Sequence, residues 1–135
     1  MDKTAEFMGI EIKEDEVENN LSHFFKRKEF ACHCGCGKDT VDYELLTVLE
    51  EVRDHFNAPV KINSGNRCFN YNHQIGGSSS SQHLLSKAAD IVVKGVNPQD
   101  VYDILNLWYP DKYGIGLYKL QGFVHFDVRS CKARW

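Results

Sequence analysis

Apolar residues fall at Val41, Leu45, Val48, Leu49, Val52 and Phe56, a recurrence at three and four that lays one stripe along a helix. The spacing predicts a helix over Asp39 to Phe56, with Asp39, Thr40 and Asp42 as candidate caps. A second stripe of Val101, Ile104, Leu105 and Trp108 follows Asn97, a capping residue, and Pro98, which suits the first helical position. Between the two stripes the period changes. "APVKINSG" places Val60 and Ile62 on one face of a short strand stopped at Ser64-Gly65, and "AADIVVKG" reads as a buried strand. "YGIGLYKL" and "GFVHFDVRS" predict two more strands joined near Gln121-Gly122 as an antiparallel hairpin. "RCFNYNHQIGG" predicts a short helix or turn, closed by Gly76-Gly77 and followed by a run of serines. The order is helix, strand, loop, strand, helix, strand, strand, without internal repeat, and it predicts an α+β fold with one mainly antiparallel sheet and flanking helices.

Length and charge narrow the function. A chain of 135 residues, 42% of them hydrophobic, has room for one core and therefore one domain. Residues 1–20 hold seven acids against Lys3 and Lys13, so that totals of 16 bases and 19 acids leave 14 bases against 12 acids in the remainder. The acidic stretch, poor in aromatics, is expected to be a loosely ordered arm ahead of a domain over residues 21–135. A net charge of -3 argues against a nucleic-acid partner, which would call for a basic face. No stretch has the length of a membrane span. The first residues also lack the basic start and apolar run of an export signal, so synthesis in a cytoplasm is expected. Five cysteines in such a chain suggest thiols or metal ligands before disulfides.

Metal-site chemistry is suggested by "SSSSQHLLSKAADIVV", in which a loop delivers His83 and Asp90 to the start of a strand. A catalytic zinc site takes three protein ligands and leaves a position for water or substrate. His125 in "FVHFDVR" is the best third ligand, because strand alternation puts Phe123, His125 and Asp127 on one face and turns Phe126 and Val128 toward the core. His23, His33, His55 and His73 have no comparable setting and are read as surface or structural residues.

Taken together, "SGNR" at 64–67, "SQHLLSKAAD" at 81–90 and "FVHFDVR" at 123–129 resemble the signature blocks of the zinc D-alanyl-D-alanine carboxypeptidase family, whose fold is shared with hedgehog signalling domains. The likeness extends to "EFACHCGCG", "VDYELLTVLEEVRDHF" and "GIGLY", covering about residues 21–130, and is greatest to small phage and bacterial members that include peptidoglycan-cleaving endolysins. The resemblance implies that His83, Asp90 and His125 hold Zn2+, that Arg67 faces the substrate, and that Ser81 helps bind it. It implies a zinc metallopeptidase acting on the peptidoglycan stem peptide, as a D,D-carboxypeptidase or L,D-type endopeptidase. A monomer is expected, reaching the bacterial cell wall through release by another agent, as with a phage-encoded lysis enzyme. The alternative is a non-catalytic zinc-binding protein of the same fold, such as a virion or tail component.

The chain departs from those relatives in two places. Many carry Glu or Asp three residues before the last ligand, or a His two before it, where this sequence has Gly122 and Phe123. Asp127 is then the first choice for general base and Asp111 the next, or Asp127 only orients a ligand histidine. Ser86 stands where relatives have Gly, which predicts a slightly different turn. In "CHCGCG" the C-x-C spacing is tighter than the C-x-x-C knuckles of structural zinc sites. A turn with reduced thiols, or one disulfide to Cys68, is therefore expected before a zinc ribbon, although an extended segment would put all three sulfurs on one side and allow adventitious metal capture.

Overall fold

A computed structural model describes residues 21–135; the expected acidic arm over 1–20 lies outside the described residues. Helix α1 runs over Tyr43–Phe56, strand β1 over Val60–Ser64, helix α2 over Phe69–Gln74 and strand β2 over Ala88–Val93. Helix α3 spans Pro98–Trp108, and strands β3, β4 and β5 span Gly114–Tyr118, Phe123–Asp127 and Ala133–Arg134. Two 3-10 turns, Arg27–Phe30 and Gln82–Leu85, complete the order. The sheet order is β1-β2-β4-β3-β5, and every pairing is antiparallel except that of β3 with β5. This is the expected α+β architecture. The short β5 has no alternating signature; Arg134 anchors it by donating to the carbonyls of Tyr109, Lys112 and Tyr113.

Helix α1 begins later than the stripe suggests. Asp42 is the cap, its carboxylate accepting from the amides of Glu44 and Leu45 at 2.8 and 3.4 Å, while its own amide donates to Ser86 O. Residues 39–42 are thereby drawn out of the helix. Asn97 caps α3 with Pro98 in its first turn, and left-handed Gly122 (φ +83°) turns β3 into β4.

Alternation divides the sheet into two faces. Val60, Ile62, Ala89, Ile91, Val93, Ile115, Val124 and Phe126 are buried with Leu45, Leu49 and Val52 of α1 and Val101 and Leu105 of α3. Burial of each large member stabilises the fold by roughly 1.5–3 kcal/mol. The opposite face carries Asp90, His125, Asp127, Gly114 and Gly116, brought level by the pairs Asp90↔His125, Gly116↔His125 and Gly114↔Asp127. Every site residue on the sheet thus occupies the phase that the core leaves free.

Candidate metal centre

Three elements converge on an open cleft of about 410 Å³ lined by Arg67, Ser81, His83, Asp90, His125 and Trp135 among others. Asp90 and His125 are cross-strand partners, so sheet register alone sets them side by side. His83 arrives from the second 3-10 turn, whose N-cap is Ser81; Ser81 Oγ accepts from His83 N–H at 3.2 Å. That turn ends at Ser86, which adopts φ +63°. Ser86 occupies the left-handed region that favours glycine, and its hydroxyl is bonded there to Asn66 Oδ1 and Thr40 Oγ1, each at 2.6 Å.

Each histidine is oriented by a bond on its far side. His83 Nδ1 lies 2.7 Å from Gly65 O, and a carbonyl only accepts, so Nδ1 carries a proton and the neutral ring presents its lone pair at Nε2. That Nε2 is buried without a hydrogen-bond partner and stands 3.4 Å from Asp90 Oδ1. His125 Nε2 lies 2.7 Å from Asp127 Oδ2, and its Nδ1 lies 2.9 Å from the same Asp90 oxygen. Two imidazole nitrogens and a carboxylate oxygen therefore point at one another within 4.8 Å. A bare lone pair facing a carboxylate is repulsive; a cation between them removes the conflict. The donor set fits a divalent metal held by His83, Asp90 and His125.

Charge in the cluster is shared among buried groups. Burial favours the neutral form of Asp90, but the hydrogen bond with His125 and the neighbouring imidazole rings prevail and hold its carboxyl well below the usual range. Burial likewise acts to neutralise Asp127, yet Arg129 and His125 keep it ionised far below the ordinary carboxylate value. His125 is pushed down by burial and pulled up further by Asp127 and Asp90, ending above the ordinary imidazole value. The two carboxylates thus hold a proton on that ring when no metal competes for it.

Asp127 is fully buried. Its Oδ1 accepts from Arg129 N and Nε at 3.1 and 2.8 Å, while Oδ2 lies 2.7 Å from both Arg129 Nη2 and His125 Nε2. Asp111 is exposed before β3 and does not line the cleft. Arg67 donates through Nη1 to Asn72 Oδ1 at 3.2 Å and lies 3.8 Å from Asp90 Oδ2; its Nε is buried without a partner.

Two contributors escaped the sequence reading. Arg129 continues the alternation of His125 and Asp127, and that phase was the available signal. Trp135 offered none: its indole donates to Tyr118 O–H at 2.8 Å and its ring lies 5.1 Å from that of His125. The glycines of "GIGLY" are explained by these neighbours. A Cβ at Gly114 would enter the Asp127 carboxylate and the Arg129 guanidinium, and one at Gly116 would strike the Trp135 indole.

Asp90 and His125 of the sheet and His83 of the 3-10 turn thus form a donor set that could hold a metal ion. Residues 23–127 match the family described as Peptidase M15, and the chain belongs to that family of metal-dependent peptidases. No curated protein matches the chain at a significant level. Among the described residues no helix is long and apolar enough to cross a membrane.

Proposed function

We propose that the chain is a zinc-dependent peptidase that hydrolyses peptide bonds in the stem peptide of bacterial peptidoglycan, as a D,D-carboxypeptidase or an L,D-type endopeptidase. The observation that carries this reading is the inward convergence of His83 Nε2, Asp90 Oδ1 and His125 Nδ1, with the far nitrogens of both rings already engaged. Held there, zinc would lower the pKa of a water to about 7 and polarise the scissile carbonyl.

The chain's own side chains bind and orient. Arg67, with its unpartnered Nε on the cleft wall, receives a peptide carboxylate or the oxyanion of the transition state. Ser81 shares the wall and directs its hydroxyl proton at the substrate backbone. The stacked rings of Tyr118 and Phe123, 4.5 Å apart, offer a flat apolar surface to a small side chain such as that of alanine. Asp127 takes the orienting role: its oxygens are occupied by His125 and Arg129, and it fixes the tautomer that turns the Nδ1 lone pair inward. Action at the wall suits a phage-encoded endolysin, working as a monomer.

The second reading is a non-catalytic zinc-binding protein of the same fold, such as a virion or tail component. What favours it is that, among the described residues, Asp90 is the only one with a carboxylate side chain lining the cleft, so none of them offers a second free acid there to shuttle the proton.

Elemental analysis of wild type and His83→Ala, paired with amine release from purified peptidoglycan, separates these readings. Cleavage that disappears together with His83-dependent zinc supports the peptidase. His83-dependent zinc with no cleavage on several wall chemotypes favours the binding protein, and metal indifferent to His83 removes the site from both. Asp127→Asn tests the orienting role: metal affinity should fall about 10–100-fold, whereas a residue acting only as base would leave affinity unchanged while turnover collapsed.

A further inference from the structure

Outside the cleft, the structure gathers a second group of potential ligands. The sulfurs of Cys32, Cys34, Cys36 and Cys68 all lie within 4.8 Å of one another. We propose that these four cysteines form a second, structural metal site that takes one thiophilic divalent ion, with zinc as its natural class, and clamps the loop over residues 32–38 onto the segment that carries Arg67.

Geometry, not the number of cysteines, carries the proposal. Tetrahedral zinc thiolate with Zn–S near 2.3 Å separates sulfurs by about 3.8 Å; Cys32 and Cys34 sulfurs are 3.5 Å apart, and those of Cys34 and Cys68 are 3.6 Å apart. Backbone amides already aim at two of the sulfurs: Cys68 N–H at Cys32 Sγ and Tyr71 N–H at Cys68 Sγ, each at 3.4 Å. Such donors stabilise thiolate charge and are the usual outer partners of metal-bound sulfur. A disulfide would use two sulfurs and leave two, whereas all five cysteines of the chain are free thiols.

The loop is built to bring its sulfurs inward. Gly35 and Gly37 take φ +84° and +92°, which glycine reaches without strain, and Cys32 N–H closes the loop by donating to Lys38 O at 2.8 Å. Residues 33–37 are exposed and bury no apolar side chain, so hydrophobic packing does not hold them. Small loop-rich segments of this kind obtain stability from a cross-link or a metal. The sulfurs also tie distant parts together. Cys68 follows Arg67, whose amide donates to His83 O, and Lys38 Nζ reaches both Arg67 O at 3.2 Å and Leu84 O at 2.6 Å.

The test counts metals independently of hydrolysis. Full-length wild type, His83→Ala and the double variant Cys34→Ser/Cys68→Ser are purified under reducing conditions and analysed for zinc. Two equivalents in wild type and one in each variant are expected. Cobalt-loaded His83→Ala should retain thiolate-to-metal charge-transfer bands that the cysteine variant lacks. If the cysteine variant does not fold, His83→Ala is treated with an organomercurial that blocks thiols, and one equivalent of zinc should be released. A single zinc in wild type that His83→Ala removes, or His83→Ala protein from which the mercurial releases none, overturns the proposal.

Discussion

Among the described residues, two groups of side chains could hold a metal ion, and they are assembled by opposite means. The cleft group is set by sheet register: Asp90 and His125 face each other across β2 and β4, and both are buried. The cysteine group hangs on a loop with two left-handed glycines, and Cys34 and Cys36 are exposed. Backbone pairing and a core on the opposite face hold the first in place before any ligand arrives. The second is held by its own turn bond and by a few hydrogen bonds through Cys32, Lys38 and Cys68, with no strand pairing. A site made by a sheet is preorganised, whereas one made by a loop draws its order from what it binds.

Asp90→Ala should break the contrast most sharply. It removes the oxygen on which both imidazoles converge, so the cleft should lose its metal entirely while thiolate-bound metal stays at one equivalent by elemental analysis. Chelation of wild type comes next. Hydrogen exchange should show large loss of protection at the Cys32 and Gly35 amides, which close the loop, and little change at the paired amides of β2 and β4. Equal loss in both regions would erase the distinction.

Gly114→Ala is aimed at the sheet site alone. Its methyl would enter the Asp127 carboxylate and Arg129 guanidinium, and overpacking of this kind costs about 1–3 kcal/mol, to be read in denaturant melts. Gly116→Ala should cost less, because the Trp135 ring that its methyl would meet is 44% exposed and can rotate toward solvent at the expense of its bond to Tyr118.

The smallest expected effect lies away from both groups. Tyr113 O–H donates to Glu44, and its phenol is pushed up to about 12, first by burial and then by the Glu44 carboxylate. The folded protein holds this proton more tightly than the unfolded chain, so the contribution is complete below the ordinary value of about 10 and lost as pH rises through about 12. Tyr113→Phe should lower stability by about 1 kcal/mol at neutral pH, and the difference between the variants should shrink across that alkaline window.

What could be read in advance depended on the range of the interaction. Helices α1 and α3 and the β3–β4 hairpin are written in local periodicity and capping residues, and the chain positions match. The α1 boundary moved because Asp42 alone accepts from first-turn amides while its own amide reaches Ser86, a contact over 40 residues away in sequence. Strand β5 is two residues long and carries no pattern. The cysteine segment was expected as a turn with reduced thiols or with one disulfide to Cys68; it is a closed turn of free thiols that Cys68 does approach, but C-x-C spacing gave no hint that all four sulfurs would converge.

By itself, then, the sequence determined the alternation that puts His125 and Asp127 on one strand face, the loop bearing His83, and the caps and stripes of the helices, because each depends on neighbours within a turn or a strand step. Tertiary structure alone decided that Asp90 and His125 would be partners, that Arg129 would occupy Asp127, that Trp135 would cover Gly116, and that four sulfurs would converge. Those are contacts between residues distant along the chain, and register and packing, which no local pattern encodes, set their distances.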